Sequence, residues 1–354
     1  MKMENIPVEG WHKITRFQDD ASGLDAIISV HDATLGPGCG GCRIFPYASV
    51  DAALDDVKNL SRAMSYKNAL GGIPFGGGKA VIIADPAKDK SPALFEAFGR
   101  ALNELEGLYY TAEDSGITED DIAIINSVSN YVGGVGGREI GGNPAPFTAR
   151  GVWRGIQAAA RHKLGVQSLE GVSVCILGVG GVGMALAKLL HDEGATLTVA
   201  DVNEKSVASA AENFGATVVS PDEAAAQDVE IYAPCALGGA INETSLEQLR
   251  AKIVAGAANN QLKSPAYDQT LMDRGILYAP DFVINAAGVI SVGLEILGDW
   301  TEAGLNSSID RIGTTLDGIF ARSAKEGRPT GQIADQMALE IIEKGPTGQH
   351  RAAE

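Results

Sequence analysis

The fold of this chain is decided by the stretch Val172-Ser-Val-Cys-Ile-Leu-Gly-Val-Gly-Gly-Val-Gly183. Its first six residues form a short, mostly apolar run, which predicts a buried strand, and the glycines follow at once. A helix is predicted after them, through Leu190, and a second strand over residues 196–201. A strand, a helix and a strand in this order are typical of a parallel sheet, so we predict an α/β protein.

The glycines have the spacing G-x-G-x-x-G, in which each glycine has a separate task. Gly178 permits the tight turn after the strand, Gly180 lets a pyrophosphate approach the backbone, and Gly183 lets helix and strand pack closely. Gly181 and Val182 begin the helix, whose free N–H groups and positive dipole end attract a phosphate. The stretch predicts a dinucleotide site of the Rossmann type.

Asp201 ends the second predicted strand, at the position where an acidic residue binds the ribose 2′-hydroxyl. A carboxylate there repels a 2′-phosphate, and no arginine follows in the next several residues. NAD is therefore favoured over NADP as the cofactor. The alternative is a Gly-rich turn that binds no ligand.

A second informative stretch is Lys67-Asn-Ala-Leu-Gly-Gly-Ile-Pro-Phe-Gly-Gly-Gly-Lys79. Apolar residues at helical spacing over 51–69 place Lys67 near a helix end, and the apolar run 80–84 places Lys79 at a strand entrance. A lysine shielded from water can release its proton and act as a base, while a charged one can hold an anion. The stretch suggests an anionic small substrate and proton chemistry; the alternative is a loop between two solvated lysines.

The bulk composition excludes several classes of protein. At 354 residues the chain is long enough for two domains, and 45% apolar with 21% charged residues is ordinary for a globular protein. The net charge of −17 argues against nucleic-acid binding, and no apolar run is long enough to cross a bilayer or resembles a signal peptide. We expect a cytoplasmic protein that binds neither nucleic acid nor membrane.

Cys39 and Cys42 form a C-x-x-C pair, a spacing found in half of a zinc site or in a redox centre. The five histidines are scattered without ligand spacing, and four cysteines do not make a disulfide framework in a chain of this length. We expect no metal site, and the redox or zinc interpretation stays as an alternative.

The rest of the chain alternates strands and helices. Further strands are predicted at 24–30, 229–233, 252–257 and 276–279. Further helices are predicted at 92–105, 148–162 and from about 300 onward. The Gly- and Pro-rich stretch 132–146 is predicted to be a linker, with a hinge at 132–142.

Several segments, in one consistent order over most of the chain, carry a resemblance to a known family. Besides the two-lysine stretch and the glycine fingerprint, they are Leu35-Gly-Pro-Gly-Cys-Gly-Gly-Cys-Arg43, Thr111-Ala-Glu-Asp114, Gly142-Asn-Pro-Ala-Pro-Phe-Thr148, Ala233-Pro-Cys-Ala-Leu-Gly-Gly239, Ala255-Gly-Ala-Ala-Asn-Asn-Gln261 and Tyr278-Ala-Pro-Asp-Phe-Val-Ile-Asn-Ala286. The chain resembles the amino-acid dehydrogenases of the glutamate/leucine/phenylalanine/valine family, and most of all the leucine branch.

This resemblance implies reversible, NAD-dependent oxidative deamination of an L-amino acid to a 2-oxo acid and ammonia. Lys67 is then implied to hold the substrate carboxylate, together with the backbone N–H groups of Gly40 and Gly41. Lys79 is implied to activate water for attack on the imine, and Asp114 to move protons to and from the substrate nitrogen.

The same resemblance implies the residues that meet the nicotinamide. Asn259 and Asn285 are implied to orient the substrate amine and the nicotinamide, and Thr148 to contact the nicotinamide amide. Ala236 lies in one of the resembling segments and is implied to contact the cofactor.

The substrate side chain is the least determined feature. The glutamate branch has a lysine where this chain has Cys39, and burying a glutamate carboxylate without a partner costs several kcal/mol, so glutamate is disfavoured. The resemblance implies a medium-sized apolar pocket lined by Cys39, Met64, Ala112, Val289 and Val292. It suits leucine, valine or isoleucine, while the smallness of Cys39 keeps phenylalanine or another aromatic substrate open.

The predicted architecture has two domains separated by a cleft. Residues 1–136 are predicted to form an α/β substrate-binding and oligomerisation domain, with 329–354 packing back onto it, and 137–328 a Rossmann NAD-binding domain. The resemblance implies a homo-oligomer, commonly a dimer or an octamer. Two alternatives from other classes are a hydroxy-acid dehydrogenase and an NAD-binding module without catalysis.

Overall fold

The computed structural model describes residues 1–135 and 145–346, which form two compact units. Among these residues, the first unit contains 1–135, 289–305 and 338–346, and the second contains 145–288 and 306–337. Most of the predicted hinge, and the start of the segment 142–148, lie outside the described residues.

The first unit is built on a mixed sheet that has seven strands in the described part of the chain. The strands are β1 (Lys2–Asn5), β2 (Lys13–Asp19), β3 (Leu24–Asp32), β4 (Gly38–Cys39), β5 (Cys42–Phe45), β6 (Gly76–Ile83) and β7 (Tyr109–Tyr110). Their order is β1-β2-β3-β6-β4-β7, and β5 continues β4 along the same edge of β6. The sequence did not predict β1 and β2, because polar side chains dominate both.

Helices cover the two faces of this sheet. They are α1 (Val50–Gly71), α2 (Pro92–Asn103) and α3 (Glu119–Asn126). α1 packs on one face through Ala53 and Val57, while α2 and α3 bury apolar side chains on the other. Ser49 caps the start of α1 by accepting from Ala52 N, and Gly72 ends it in the left-handed conformation.

Lys79 does not stand at a strand entrance, as the sequence predicted, but four residues into β6. The strand begins earlier because Gly76, Gly77 and Gly78 are part of it, and glycines give no apolar signal in the sequence. Alternation along β6 places Lys79 on the same face as Val81, which packs toward α1.

The second unit contains a six-stranded, fully parallel sheet within the described residues. The strands are β8 (Ser173–Leu177), β9 (Thr196–Ala200), β10 (Thr217–Val218), β11 (Ile231–Pro234), β12 (Ile253–Val254) and β13 (Leu277–Tyr278). Their order is β10-β9-β8-β11-β12-β13. When the six strands are numbered from 1 in chain order, this is the order 3-2-1-4-5-6. This order defines the Rossmann fold, and the predicted fold class is confirmed.

Helices connect and follow these strands. They are α4 (Ala145–Leu164), α5 (Gly181–Asp192), α6 (Glu204–Phe214), α7 (Glu243–Gln248), α8 (Ala266–Asp273), α9 (Asp281–Ile284), α10 (Ala287–Ile296), α11 (Glu302–Glu326) and α12 (Thr330–Lys344). A 3₁₀ turn, Pro221–Ala226, precedes β11. The helices predicted at 148–162 and beyond 300 are therefore present, the first with an earlier start.

The two units divide the C-terminal part of the chain differently from the predicted limits 137–328 and 329–354. Residues 289–305 group with the first unit, because Ile290 and Gly293 of α10 pack beside Gly71 and Ile73. Residues 306–337 group with the second unit. There Asp310 forms ion pairs with two arginines of α4, a long-range contact that composition does not reveal.

Candidate active site

A buried ion pair joins two residues that the sequence singled out. Lys79 is only 6% exposed, and its Nζ lies 2.5 Å from Oδ2 of Asp114. Lys79 comes from a central strand of the first sheet, and Asp114 from the loop after β7. The fold thus brings a buried amine and a carboxylate into contact from positions 35 residues apart in the sequence.

The Asp114 carboxyl is held in its charged form. Burial by itself raises its pKa, but the charge and hydrogen bond of Lys79, the Ser115 backbone and the charge of Arg43 together outweigh burial, so the pKa of Asp114 is lowered. A carboxylate that stays ionised can accept a proton from a substrate.

The turn at Gly40 and Gly41 approaches this pair so closely that only glycine fits. A Cβ on Gly40 would lie 2.1 Å from the Gly78 carbonyl oxygen, and one on Gly41 would lie 2.8 Å from Cβ of Asp114. The Gly40 N–H donates to the carbonyl of Tyr110, so it is not available to a substrate carboxylate in the way that the family resemblance implied. The Gly41 N–H donates to no group in the described part of the chain.

Lys67 lies near the C-terminal end of α1, half-buried, beside an anchor that sequence reasoning missed. Asn68 is fully buried and its Nδ2 donates to the carbonyls of Cys39, at 3.1 Å, and Gly76, at 2.7 Å. It thereby ties the helix to the strands that lead to the glycine turn and to Lys79. Its position directly after Lys67, inside the two-lysine stretch, was the only signal in the sequence.

The predicted pocket residues all belong to the first unit. Met64 packs against Gly40, and Cys39 pairs in register with Tyr110, two residues before Ala112. Val292 packs against Gly133, whose N–H donates to the carbonyl of Thr111, next to Ala112. Val289 lies three residues before Val292 on the same helix, so the two valines are neighbours on one face of that helix.

The cysteines are inert in this environment. Cys39, Cys42 and Cys175 are buried free thiols, and burial raises the pKa of Cys39 to about 12. Thiolates are the reactive and metal-binding form, so both uses are disfavoured. In the residues 1–135 and 145–346, no three His, Cys, Asp or Glu side chains are grouped so that they could hold a metal ion.

In the second unit, the three glycines of the fingerprint occupy three different environments. Gly178 has a φ of +96°, and a Cβ on it would lie 2.7 Å from Ala236 N. A Cβ on Gly183 would lie 1.9 Å from the Gly178 carbonyl oxygen, whereas one on Gly180 would meet no atom of the described residues within 4 Å. The backbone is therefore open at Gly180, the position where a pyrophosphate would approach.

The residues beside this turn can hold a dinucleotide. α5 begins after Gly180 without a side-chain cap, which leaves the N–H groups of Gly181, Val182 and Gly183 for an anion. The Asp201 carboxylate accepts from Val179 N at 2.7 Å and from Asn203 N at 2.9 Å, and each oxygen retains a second lone pair for a ribose hydroxyl.

Three of the four remaining cofactor candidates lie on neighbouring loops at the carboxyl edge of the parallel sheet. Asn285 Nδ2 donates to Oδ1 of Asn259, at 2.7 Å, and to the Ala257 carbonyl. Ala236 lies against Gly178, after β11, and the fourth candidate, Thr148, lies on α4 near Gly288. Ligands of open parallel sheets bind at this edge.

A parallel sheet of this order with its glycine turn, and a second α/β unit with a buried Lys–Asp pair, define a nicotinamide-dinucleotide-dependent dehydrogenase. Residues 11–131 match the family described as "Glu/Leu/Phe/Val dehydrogenase, dimerisation domain", and residues 196–342 match "Glutamate/Leucine/Phenylalanine/Valine dehydrogenase". The chain belongs to this family and is an amino-acid dehydrogenase, as the resemblance implied.

Individual relatives cover almost the whole chain. It is 48% identical to leucine dehydrogenase of Bacillus subtilis (strain 168), over 92% of this chain and 90% of the relative. It is 44% identical to valine dehydrogenase of Streptomyces virginiae, over 93% of each. The crystal structure of L-tryptophan dehydrogenase from Nostoc punctiforme superposes with a TM-score of 0.85 at 40% identity, covering 95% of this chain and 96% of the other.

Proposed function

We propose that this enzyme catalyses the NAD-dependent, reversible oxidative deamination of a branched-chain L-amino acid, with leucine preferred, to the 2-oxo acid and ammonia. The observation that carries the proposal is the buried Lys79–Asp114 ion pair beside the glycine turn at Gly40 and Gly41. This pair can supply the proton transfers that the oxidation of an amine requires. A protein that only binds a ligand would not need such a pair.

Each residue of this site has a separate task. Lys67 and the Gly41 N–H bind the substrate carboxylate, which places the α-carbon at the turn. Hydride leaves the α-carbon readily only when the amine is neutral, so Asp114 first accepts a proton from the substrate ammonium. Lys79, which has first released its own proton to solvent, removes a proton from the water that attacks the iminium carbon. Asp114 returns its proton to the nitrogen and takes up the proton of the new hydroxyl group as ammonia leaves and the 2-oxo group forms.

The cofactor is NAD rather than NADP. NAD, when bound, takes the hydride from the substrate. Gly178, Gly180 and the N–H groups of Gly181, Val182 and Gly183 hold its pyrophosphate, and Asp201 binds the ribose while its charge repels a 2′-phosphate. On the nicotinamide side we assign Thr148, Ala236, Asn259 and Asn285.

The substrate pocket favours an aliphatic side chain. Cys39 is fully buried and uncharged in the position where the glutamate branch has lysine, so a second substrate carboxylate would have no partner. With Met64, Ala112, Val289 and Val292 it forms the pocket wall that we assign. One methylene more or less changes binding by only about 1–3 kcal/mol, so valine and isoleucine should also react.

An aromatic substrate is the second candidate. It is supported by the similarity to the L-tryptophan dehydrogenase of Nostoc punctiforme, and by the small size of Cys39.

The enzyme is proposed to act as a homo-oligomer in the cytoplasm. Support comes from residues 11–131, which match a dimerisation domain. No helix in the described ranges is long and apolar enough to span a membrane.

Formation of NADH from a panel of L-amino acids tests the proposal. The panel contains leucine, valine, isoleucine, phenylalanine, tryptophan and glutamate, each with NAD and with NADP. We expect the highest kcat/KM with leucine and NAD, and the lowest with glutamate. A higher value for phenylalanine or tryptophan would select the second candidate. Turnover of hydroxy acids alone, or dinucleotide binding without turnover, would contradict the proposal.

A further inference from the structure

Arg43 lies beside Asp114, the proposed proton acceptor, but takes no part in the proposed proton transfers. Its Nε lies 3.6 Å from Oδ2 of Asp114, the same oxygen that contacts Lys79. That distance is too long for a hydrogen bond. Two opposite charges this close still attract each other strongly where they are half-buried and little water screens them. The Nε group is buried and has no hydrogen-bond partner within the described residues.

A second carboxylate holds Arg43 in this place. Arg43 Nη1 donates to Oδ2 of Asp56, at 3.0 Å, and the Tyr47 hydroxyl donates to the same oxygen, at 2.5 Å. Asp56 lies on α1, the helix that carries Lys67. The guanidinium is thus fixed between two carboxylates, one on a helix and one in the catalytic loop.

The two cations beside Asp114 differ in a way that matters during turnover. Lys79, in the proposed reaction, loses its proton and with it its positive charge. An arginine does not deprotonate in proteins, so Arg43 is a permanent charge at this carboxylate. When Lys79 is neutral, Arg43 is the charge that continues to favour ionised Asp114.

We propose that Arg43 is a positioning residue for the deamination. Anchored by Asp56 and Tyr47, it fixes the Asp114 carboxylate against Lys79 and keeps it ionised until it accepts the proton of the substrate. This inference rests on the proposed function, in which Asp114 accepts the proton of the substrate.

The other titratable groups around Asp114 do not supply this charge. Glu113, its neighbour in the loop, is acidic, and burial raises its pKa. Among the described residues, the two other titratable groups that face it are the Cys42 thiol and the Tyr109 phenol. Both are buried, which raises their pKa and keeps them neutral. The fixed positive charge at the site therefore comes from Arg43.

The test compares Arg43→Gln with the wild type in the pH profile of kcat/KM for NADH formation from leucine. Without the arginine, Asp114 takes up a proton more readily, so the acidic limb should move to higher pH by about one unit. The substrate amine titrates equally for both enzymes, so the difference between the profiles reports the protein. Arg43→Lys should shift the acidic limb part of the way back toward its wild-type pH.

Two controls separate this role from a structural one. Arg16→Gln removes an arginine from a bidentate pair with Asp25 in the same unit, and should keep the wild-type profile. In an Asp114→Asn background, Arg43→Gln should cause little further loss, because its effect passes through Asp114.

An unchanged acidic limb in Arg43→Gln, or an equal fold loss with and without Asp114, would overturn the inference. If Arg43→Gln does not fold, Asp56→Asn replaces it: the arginine stays but its anchor weakens, and a smaller move in the same direction is expected. A wild type that forms no NADH from any amino acid would instead refute the proposed function.

Discussion

The two units of this molecule bind charge in opposite ways. In the first, the charges belong to buried or half-buried side chains, since Lys79 and Arg43 both face one oxygen of Asp114. In the second, the proposed dinucleotide cradle has backbone N–H groups and open space in place of side chains, as at Gly180, where a Cβ would meet no atom of the described residues within 4 Å.

The difference follows from what each unit has to do. A backbone N–H is a fixed partial charge that can hold a phosphate but cannot give up its proton during a reaction. A buried lysine and a carboxylate can exchange protons with a substrate, at the cost of keeping ionisable groups away from water. In the proposed function, the backbone of one unit therefore binds the cofactor, and side chains of the other transfer the protons.

The largest effect is expected from Lys79→Met, which removes the charge that pairs with Asp114. Turnover should fall by about 10²–10⁴-fold, the usual contribution of a positioned proton-transfer group. NADH affinity should stay near that of the wild type, because the proposed dinucleotide cradle is formed by the second unit. Initial rates of NADH formation and a fluorescence titration with NADH measure the two properties.

Lys90→Met is the matched control, because Lys90 also forms an ion pair with a largely buried carboxylate in the first unit, that of Asp121. It should keep near-wild-type turnover. A Lys79→Met enzyme that retains more than a tenth of the turnover, or that no longer binds NADH, would contradict the division of tasks between the units.

The glycines of the second unit give the next effect in size. Gly183→Ala would place a Cβ 1.9 Å from the Gly178 carbonyl oxygen, and strain of this kind typically costs about 1–3 kcal/mol or more. Gly180→Ala meets no protein atom but fills the space where the pyrophosphate approaches. Both variants should bind NADH more weakly, whereas only Gly183→Ala should lower the Tm.

Thermal unfolding without cofactor, together with the NADH titration, distinguishes these two variants. Equal Tm values for them would show that the third glycine is not needed for packing. An unchanged NADH affinity in Gly180→Ala would show that the open backbone at that position is not the phosphate site.

A smaller effect is expected at Asp268, the counterpart of Asp114 in the second unit. The pKa of Asp268 is raised to about 6, chiefly by burial and also by the charge of Asp335. Hydrogen bonds from the N–H groups of Gly331 and Gln332 lower this pKa but do not outweigh burial. Its Oδ1 is buried without a hydrogen-bond partner in the described structure. Among the described residues no cation pairs with this buried carboxylate, so its charge opposes folding.

The sign of the pH dependence follows from this raised pKa. The folded protein binds the Asp268 proton more tightly than the unfolded chain, so the contribution to stability is present below about pH 4 and is lost as the pH rises through about 6. Asp268→Asn should remove this loss, so that the stability of the variant relative to the wild type rises by about 2–3 kcal/mol between pH 4 and pH 7. Denaturant unfolding of both proteins at both pH values measures this difference in the free energy of unfolding. The same pH dependence in the variant and the wild type would refute the prediction.

Much of the fold was predictable from the sequence, because its signals are local. The strand over 173–177, the glycine turn and the helix after it follow one another within a single stretch, and periodicity located α1 within two residues of its ends. The strand of Lys79 was misjudged at its start, since Gly76–Gly78 carry no side chains that alternate. β1 and β2 were missed, because strands with mostly polar side chains give no apolar signal.

The sequence by itself determined the parallel sheet, the glycine cradle and the identity of the charged residues, because each depends on neighbours along the chain. Only the tertiary structure decided which charges meet. Asp114 contacts Lys79 and Arg43 because the strands that carry them are adjacent in the sheet, and Arg43 is held by Asp56 because α1 packs over that sheet. Pairing between distant segments is set by strand register and helix packing, and these are properties of the folded chain.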